Sequence, residues 1–197
     1  PDLFVANYFK EFYFEQALFG THNLAILNHY SINEEYEPGN DELYLNMGGK
    51  SFKNVSNFLK CNPGYGFGAV FTDVDNDNDL DIYLVNDFGE NNEPNQILIN
   101  QYPKLDFENK SKELKLNVGL KSMGVGVGDY NNDSYLDYHV TNIFAGPFMV
   151  NRGKDKSFVN LAPNIGTGIN KIEGYKDSKQ VIIGWGSLFV DYDHDKD

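Results

Sequence analysis

The chain is short of positive charge, of sulfur and of long apolar runs, and each shortage removes a class of function. Its 16 lysines and arginines face 29 aspartates and glutamates, for a formal net charge of −13. Nothing in that balance could replace the counterions of a phosphate backbone, so nucleic acid is excluded as a partner. Arginine occurs once, at Arg152. Cys61 is the single cysteine, which rules out an intramolecular disulfide framework and leaves oxidising and reducing compartments equally open. With no histidine near it in sequence, Cys61 reads as a small buried apolar residue rather than a nucleophile. No apolar stretch approaches the ~20 residues of a bilayer span, and the first residues carry neither the charged nor the apolar region of a signal peptide. Helical apolar spacing is almost missing too; a loose version occurs only within residues 8–30.

Apolar and aromatic residues, by contrast, are plentiful. At 41% hydrophobic and 15% aromatic, 197 residues suffice for a real core. They are also periodic. Gly66-Phe67-Gly68-Ala69-Val70-Phe71-Thr72-Asp73 recurs as Met123-Gly124-Val125-Gly126-Val127-Gly128-Asp129, and again as Ile183-Gly184-Trp185-Gly186-Ser187-Leu188-Phe189-Val190-Asp191. An alternating strand follows the first two copies, at residues 81–86 and 137–142, and opens the chain at residues 2–7. A third strand is expected at 42–46, 96–100 and 148–151, and a fourth at 52–55, 107–110 and 158–161.

Units of four short strands repeated in series predict an all-β fold, a β-propeller of four-stranded blades. The glycines then belong on the innermost strand, where blades converge and side chains have least room. A dinucleotide-binding glycine loop fails, because it needs glycines after a strand and before a helix. The expected division is a partial blade at 1–62 with an insertion at 8–40, blades at 63–118 and 119–180, and the start of another at 181–197. Just over three blades is fewer than the four to eight that close a propeller. The expectation is therefore that the remainder comes from the parent protein or from another chain.

Each glycine strand runs into an acidic loop. Counting from its first aspartate, Asp73, Asp75, Asp77 and Asp81 occupy positions one, three, five and nine, with the Asp79 carbonyl at seven. So many carboxylates in so short a loop repel, each close pair by about 1 kcal/mol in water and ~4 at an effective dielectric near 20, so the loop needs a cation. Calcium, which takes six to eight oxygens in tolerant geometry, suits it better than magnesium. The second loop keeps Asp129, Asp133 and Asp137 but has Asn131 at position three and Tyr135 at seven; the third has Asp191, Asp193, Asp195 and Asp197. Asp2 stands where a position-nine residue would. A lone acidic cluster would be read as a solvated turn, but three in-phase copies argue for ligands. An EF-hand is excluded, since its position-twelve glutamate falls on Leu84 and Val140 and both flanks read as strands.

Gly66-Phe67-Gly68-Ala69 followed by the D-x-D-x-D-x-x-x-D loop resembles the FG-GAP/VCBS-type repeat of integrin α propellers and, more closely, of proteins of the CRTAC/ASPIC-UnbV type. The resemblance spans the chain apart from residues 8–40 and 163–180. It implies bound Ca2+ and a secreted, periplasmic or cell-surface location. The family usually has glycine at loop position six; Asn78, Ser134 and Lys196 stand there instead. Sequons at Asn54, Asn109 and Asn132 matter only in a eukaryotic secretory host.

No catalytic constellation emerges: His22, His29, His139 and His194 share no ligand or triad spacing. Trp185 on an inner strand is expected in the core. Tyr13, Phe14, Tyr30 and Tyr36, in the insertion, are the candidates for partner contact. The favoured reading is a non-catalytic adhesion or scaffold module for a protein or glycan. The alternative is a calcium-dependent polysaccharide lyase or hydrolase domain, weakened by the single arginine available to neutralise uronates. Strand order places the connections at 8–40, 87–94, 143–147 and 163–180 at the end away from the acidic loops.

Overall fold

A computed structural model of the protein describes residues 1–10, 37–153, 157–167 and 183–193. Among the described residues, eleven strands form three antiparallel sheets. The first holds β1 (Leu3–Val5), β2 (Glu42–Asn46) and β3 (Phe52–Asn54). The second holds β4 (Tyr65–Thr72), β5 (Asp81–Asp87), β6 (Gln96–Asn100) and β7 (Phe107–Asn109). The third holds β8 (Val125–Gly128), β9 (Asp137–Val140), β10 (Phe148–Asn151) and β11 (Phe158–Asn160). Within each sheet neighbours in sequence are neighbours in space, the simplest outcome when short hairpin connections join the strands. A short helical turn, Ala162–Ile165, and a 3-10 turn, Ser56–Phe58, complete the described structure.

The sheets pack face to face, and the alternation of side chains assigns each face a partner. On β5, Tyr83 and Val85 join Ile97, Ile99, Tyr138, Val140, Met149 and Phe158 in the core between the second and third sheets. Ile82 and Leu98 point the other way and meet Leu43, Val55 and Phe107 between the first and second. Residues 81–87 are consequently buried throughout. Each large apolar side chain there contributes roughly 1.5–3 kcal/mol by leaving water. The buried tyrosines satisfy their hydroxyls as well: Tyr83 donates to the Leu116 carbonyl, and Tyr138 shares a 2.8 Å hydrogen bond with Thr72.

The glycines of β4 and of the strand around β8 lie where neighbouring sheets touch. A methyl at Gly66 would stand 2.8 Å from Asp41 Oδ1, and one at Gly124 would collide with the Trp185 carbonyl oxygen. Residues 183–193 run along β8, with Trp185, Ser187 and Phe189 beside Gly124, Gly126 and Gly128, but form no strand there; their one bridge, Ile183 to Ile143, is made to the connection after β9. Trp185 departs from expectation. Its ring is 64% exposed, since among the described residues it meets Phe67 at 5.7 Å but is not enclosed between two sheets. Cys61 packs beside the core of the first two sheets, and burial pushes its thiol up to about 11, in keeping with an inert role.

Two sequons prove to be structural staples. Asn109 Oδ1 accepts hydrogen bonds from Ser111 N–H and Oγ–H, and Ser111 Oγ in turn accepts from Ile97 N–H. Asn54, Ser56 and Leu43 repeat the arrangement. In the third sheet Ala162 replaces the serine, and Asn160 Oδ1 accepts directly from Phe148 N–H.

Candidate metal centre

The first acidic loop leaves β4 at Thr72 and returns into β5 at Asp81, and its own side chains fold it. Asp73 accepts from Asp77 N–H at Oδ1 (3.1 Å) and from Asn78 N–H at Oδ2 (3.0 Å). Asp77 Oδ1 accepts from Asp79 N–H. Asn76 and Asn78 take left-handed backbone, φ 59° and 70°, which asparagine tolerates better than most residues. Asp81 is fully buried at the base, where Oδ2 accepts from Val74 N–H and Oδ1 from Asn100 N–H, both at 2.9 Å.

These turns bring carboxylate oxygens of Asp73, Asp75 and Asp81 within 4.8 Å of one another. Asp77, expected at position five, does not join that group. Asp79, expected to offer its carbonyl, also carries a carboxylate oxygen, Oδ1, that is shut off from solvent with no hydrogen-bond partner. Burial pushes Asp81 up to about 7, with Asp75 and Asp79 adding repulsion. Burial and the charges of Asp77, Asp75 and Asp73 raise Asp79. An oxygen-only donor set with a stranded buried carboxylate oxygen is what a hard divalent cation requires, so the residues fit one.

The second loop repeats the scaffold bond for bond. Tyr130 N–H donates to Asp137 Oδ2, Asp133 and Ser134 N–H to the two oxygens of Asp129, Tyr135 N–H to Asp133 Oδ1, and Asn151 N–H to Asp137 Oδ1. Asn132 and Ser134 are left-handed, φ 56° and 70°. The change is at position three. The Asn131 amide donates to Asp133 Oδ2 at 2.9 Å and accepts from Asp133 N–H at 3.2 Å, tying together two positions that would repel if both carried carboxylates. Burial, then Asp133 and Asp129, raises Asp137.

Asp2 occupies the position-nine place of its sheet, accepting from Asn46 N–H at 2.8 Å. Asp191 and Asp193 are exposed. Asp195 and Asp197 lie outside the described residues, as do Tyr13, Phe14, Tyr30 and Tyr36. Sequence reasoning missed the asparagine that ends every third strand: Asn46, Asn100 and Asn151 each give their main-chain N–H to a position-nine aspartate. The signal was present, because each third strand ends in Asn. His139 is half-buried against Ser187 Oγ at 2.9 Å, and burial lowers its pKa.

The FG-GAP-like repeat family matches residues 30–84 and 73–140, together more than half of the chain. The chain belongs to the FG-GAP-like repeat family. Both matches include loop 73–81, and the second continues through loop 129–137, so this family's unit is phased on the acidic loops described above. The match is to the repeat as such and does not extend to the CRTAC/ASPIC-UnbV subtype. No curated protein matches the chain.

The opposite end of the sheets carries the 87–94 and 143–147 connections. Gly89 N–H donates to the Leu120 carbonyl, Lys121 pairs with Glu90, and Lys121 N–H donates to Asn142 Oδ1, which joins the 87–94 and 143–147 connections. An aromatic cluster of Tyr8, Phe9, Tyr65 and Phe88 lies there, with Tyr8 donating to Asp87 Oδ2 at 2.7 Å.

Proposed function

We propose that the chain is a calcium-binding, non-catalytic propeller module of an extracellular or periplasmic protein, used for adhesion or scaffolding through a protein or glycan ligand. The observation that carries this reading is the convergence of Asp73, Asp75 and Asp81, in a loop whose Asp79 also carries a buried carboxylate oxygen with no hydrogen-bond partner. FG-GAP repeats are typical of external proteins, and millimolar calcium outside the cell fills such loops without regulation. Asp73, Asp75, Asp79 and Asp81 would hold the ion, and bound calcium supplies the positive charge that offsets their repulsion. The chain's own part is to spread main-chain N–H donors over the outer carboxylate oxygens and to bury Asp81. Calcium in this reading clamps the start of β5 rather than contacting the partner. In this reading recognition falls to connections away from the acidic loops, and Tyr13, Phe14, Tyr30 and Tyr36 of the 8–40 insertion, which is extra to the repeat, are the residues proposed to contact the partner.

Isothermal calorimetry on chelator-stripped protein tests the metal. Uptake of calcium is expected, with a rise in Tm that grows with the free ion concentration as binding to the native state requires. Absence of both heat and stabilisation at millimolar calcium would sink the assignment.

A further inference from the structure

The two acidic loops are joined by a buried chain of hydrogen bonds. Asp81 Oδ2 accepts from Val74 N–H at 2.9 Å, and the Val74 carbonyl accepts from Asn151 Nδ2 at 3.2 Å. The Asn151 main-chain N–H donates to Asp137 Oδ1 at 2.8 Å. Asp81 and Asp137 are 0% exposed, Val74 3% and Asn151 4%. The amide orientation is determined by its neighbours, because Asn151 Oδ1 accepts from Gly153 N–H. A second, exposed link runs between the loop tips, from Asn76 Nδ2 to the Ser134 carbonyl at 2.8 Å.

Asn151 does something its counterparts do not. Asn46 and Asn100 turn their amides onto the carbonyls of Pro1 and Leu80, next to the aspartates their own N–H groups hold. Asn151 reaches across to the neighbouring sheet instead, onto a residue flanked by Asp73 and Asp75. We infer that Asn151 couples the two loops, so that filling loop 73–81 strengthens cation binding at loop 129–137 and the reverse.

The physical route is shared ordering. A cation that draws Asp73, Asp75 and Asp81 together fixes Val74 between them, and Val74 fixes the Asn151 side chain. The main chain of the same residue holds Asp137. Ordering needed by the second ion is then already in place, which is positive cooperativity without any change of fold. Linkage makes the effect reciprocal.

The inference rests on the calcium reading above, and the test separates the two. Calcium affinities are measured by calorimetry on the 197-residue chain, on Asp75→Ala, which cripples the first loop, and on the double variant Asn131→Ala with Asp133→Ala, which removes the side-chain oxygens at positions three and five of the second. Independent loops give a product of wild-type affinities equal to the product of the affinities left in the two variants. Coupling makes the wild-type product larger, by about fivefold at the lower end of ordinary coupling energies. Repeating the set with Asn151→Ala should abolish that excess. Should Asn151→Ala not fold, Asn151→Asp keeps the acceptor for Gly153 and removes the donor to Val74. Equal products in the native background overturn the coupling while leaving calcium binding intact, and an excess that survives both Asn151 variants overturns Asn151 as its carrier. No calcium uptake by any variant removes the metal reading and the coupling together.

Discussion

Loops 73–81 and 129–137 share a scaffold and differ in what they place at its centre. In both, the first aspartate caps the turn, the last is buried and double-bonded to main-chain N–H groups, and two residues take left-handed backbone. The first gathers carboxylates at positions one, three and nine. In the second, Asn131 stands at position three and hydrogen-bonds Asp133. The scaffold is thus separable from the charge: hydrogen bonds shape the loop, and the residue at position three decides how much repulsion is left for a cation to relieve.

That contrast is sharpest under deletion. Asp75→Ala should lower calcium affinity at the first loop on the order of a hundredfold, while Asn131→Ala costs the second only about tenfold, since affinity follows ligand charge. Calorimetry reads both, and equal losses would mean the two third positions are equivalent. Asn131→Asp should make the second loop resemble the first, raising its calcium affinity about tenfold. The same change should destabilise the metal-free protein by about 1 kcal/mol through lost hydrogen bonding and added repulsion. Urea unfolding in chelator checks the sign, and a metal-free protein made more stable would contradict it. The smallest effect concerns position six. Ser134→Gly should stabilise by about 1 kcal/mol, because serine gains nothing at φ 70° that glycine lacks, whereas Asn78→Gly should change stability by only a few tenths.

Most of the strand pattern was legible because it is local. The third strands, Glu42–Asn46, Gln96–Asn100 and Phe148–Asn151, fall where alternation between turn residues put them, and the glycine strands lie against neighbouring sheets as crowding demands. The acidic loops could be seen in the spacing, while the left-handed backbone at position six was implied by the resemblance, whose family usually has glycine there. The same backbone at Asn76 and Asn132 could not be seen, because asparagine is at home in many conformations and does not advertise this one. Exposure of Trp185 was also beyond reach: a glycine-flanked aromatic looks like core until its neighbours are known. Least legible was Asn151. Its type matches Asn46 and Asn100, and only the proximity of another sheet turns its amide toward Val74.

The asparagine staples have a bearing on how the protein is made. Asn54-Val55-Ser56 and Asn109-Lys110-Ser111 are acceptor tripeptides for N-glycosylation as long as the chain is extended. Once folded, Asn109 has its carbonyl oxygen on Ser111 and its Nδ2 on Gln96 Oε1 at 2.9 Å, so both ends of the amide that would carry a sugar are already engaged. In a glycosylating secretory host, a sugar attached before folding takes one of the two Nδ2 hydrogens and must be accommodated beside the Gln96 side chain. Molecules modified first keep the Oδ1 contacts to Ser111 but carry the sugar at the Gln96 contact, whereas a host without the modification makes a single species.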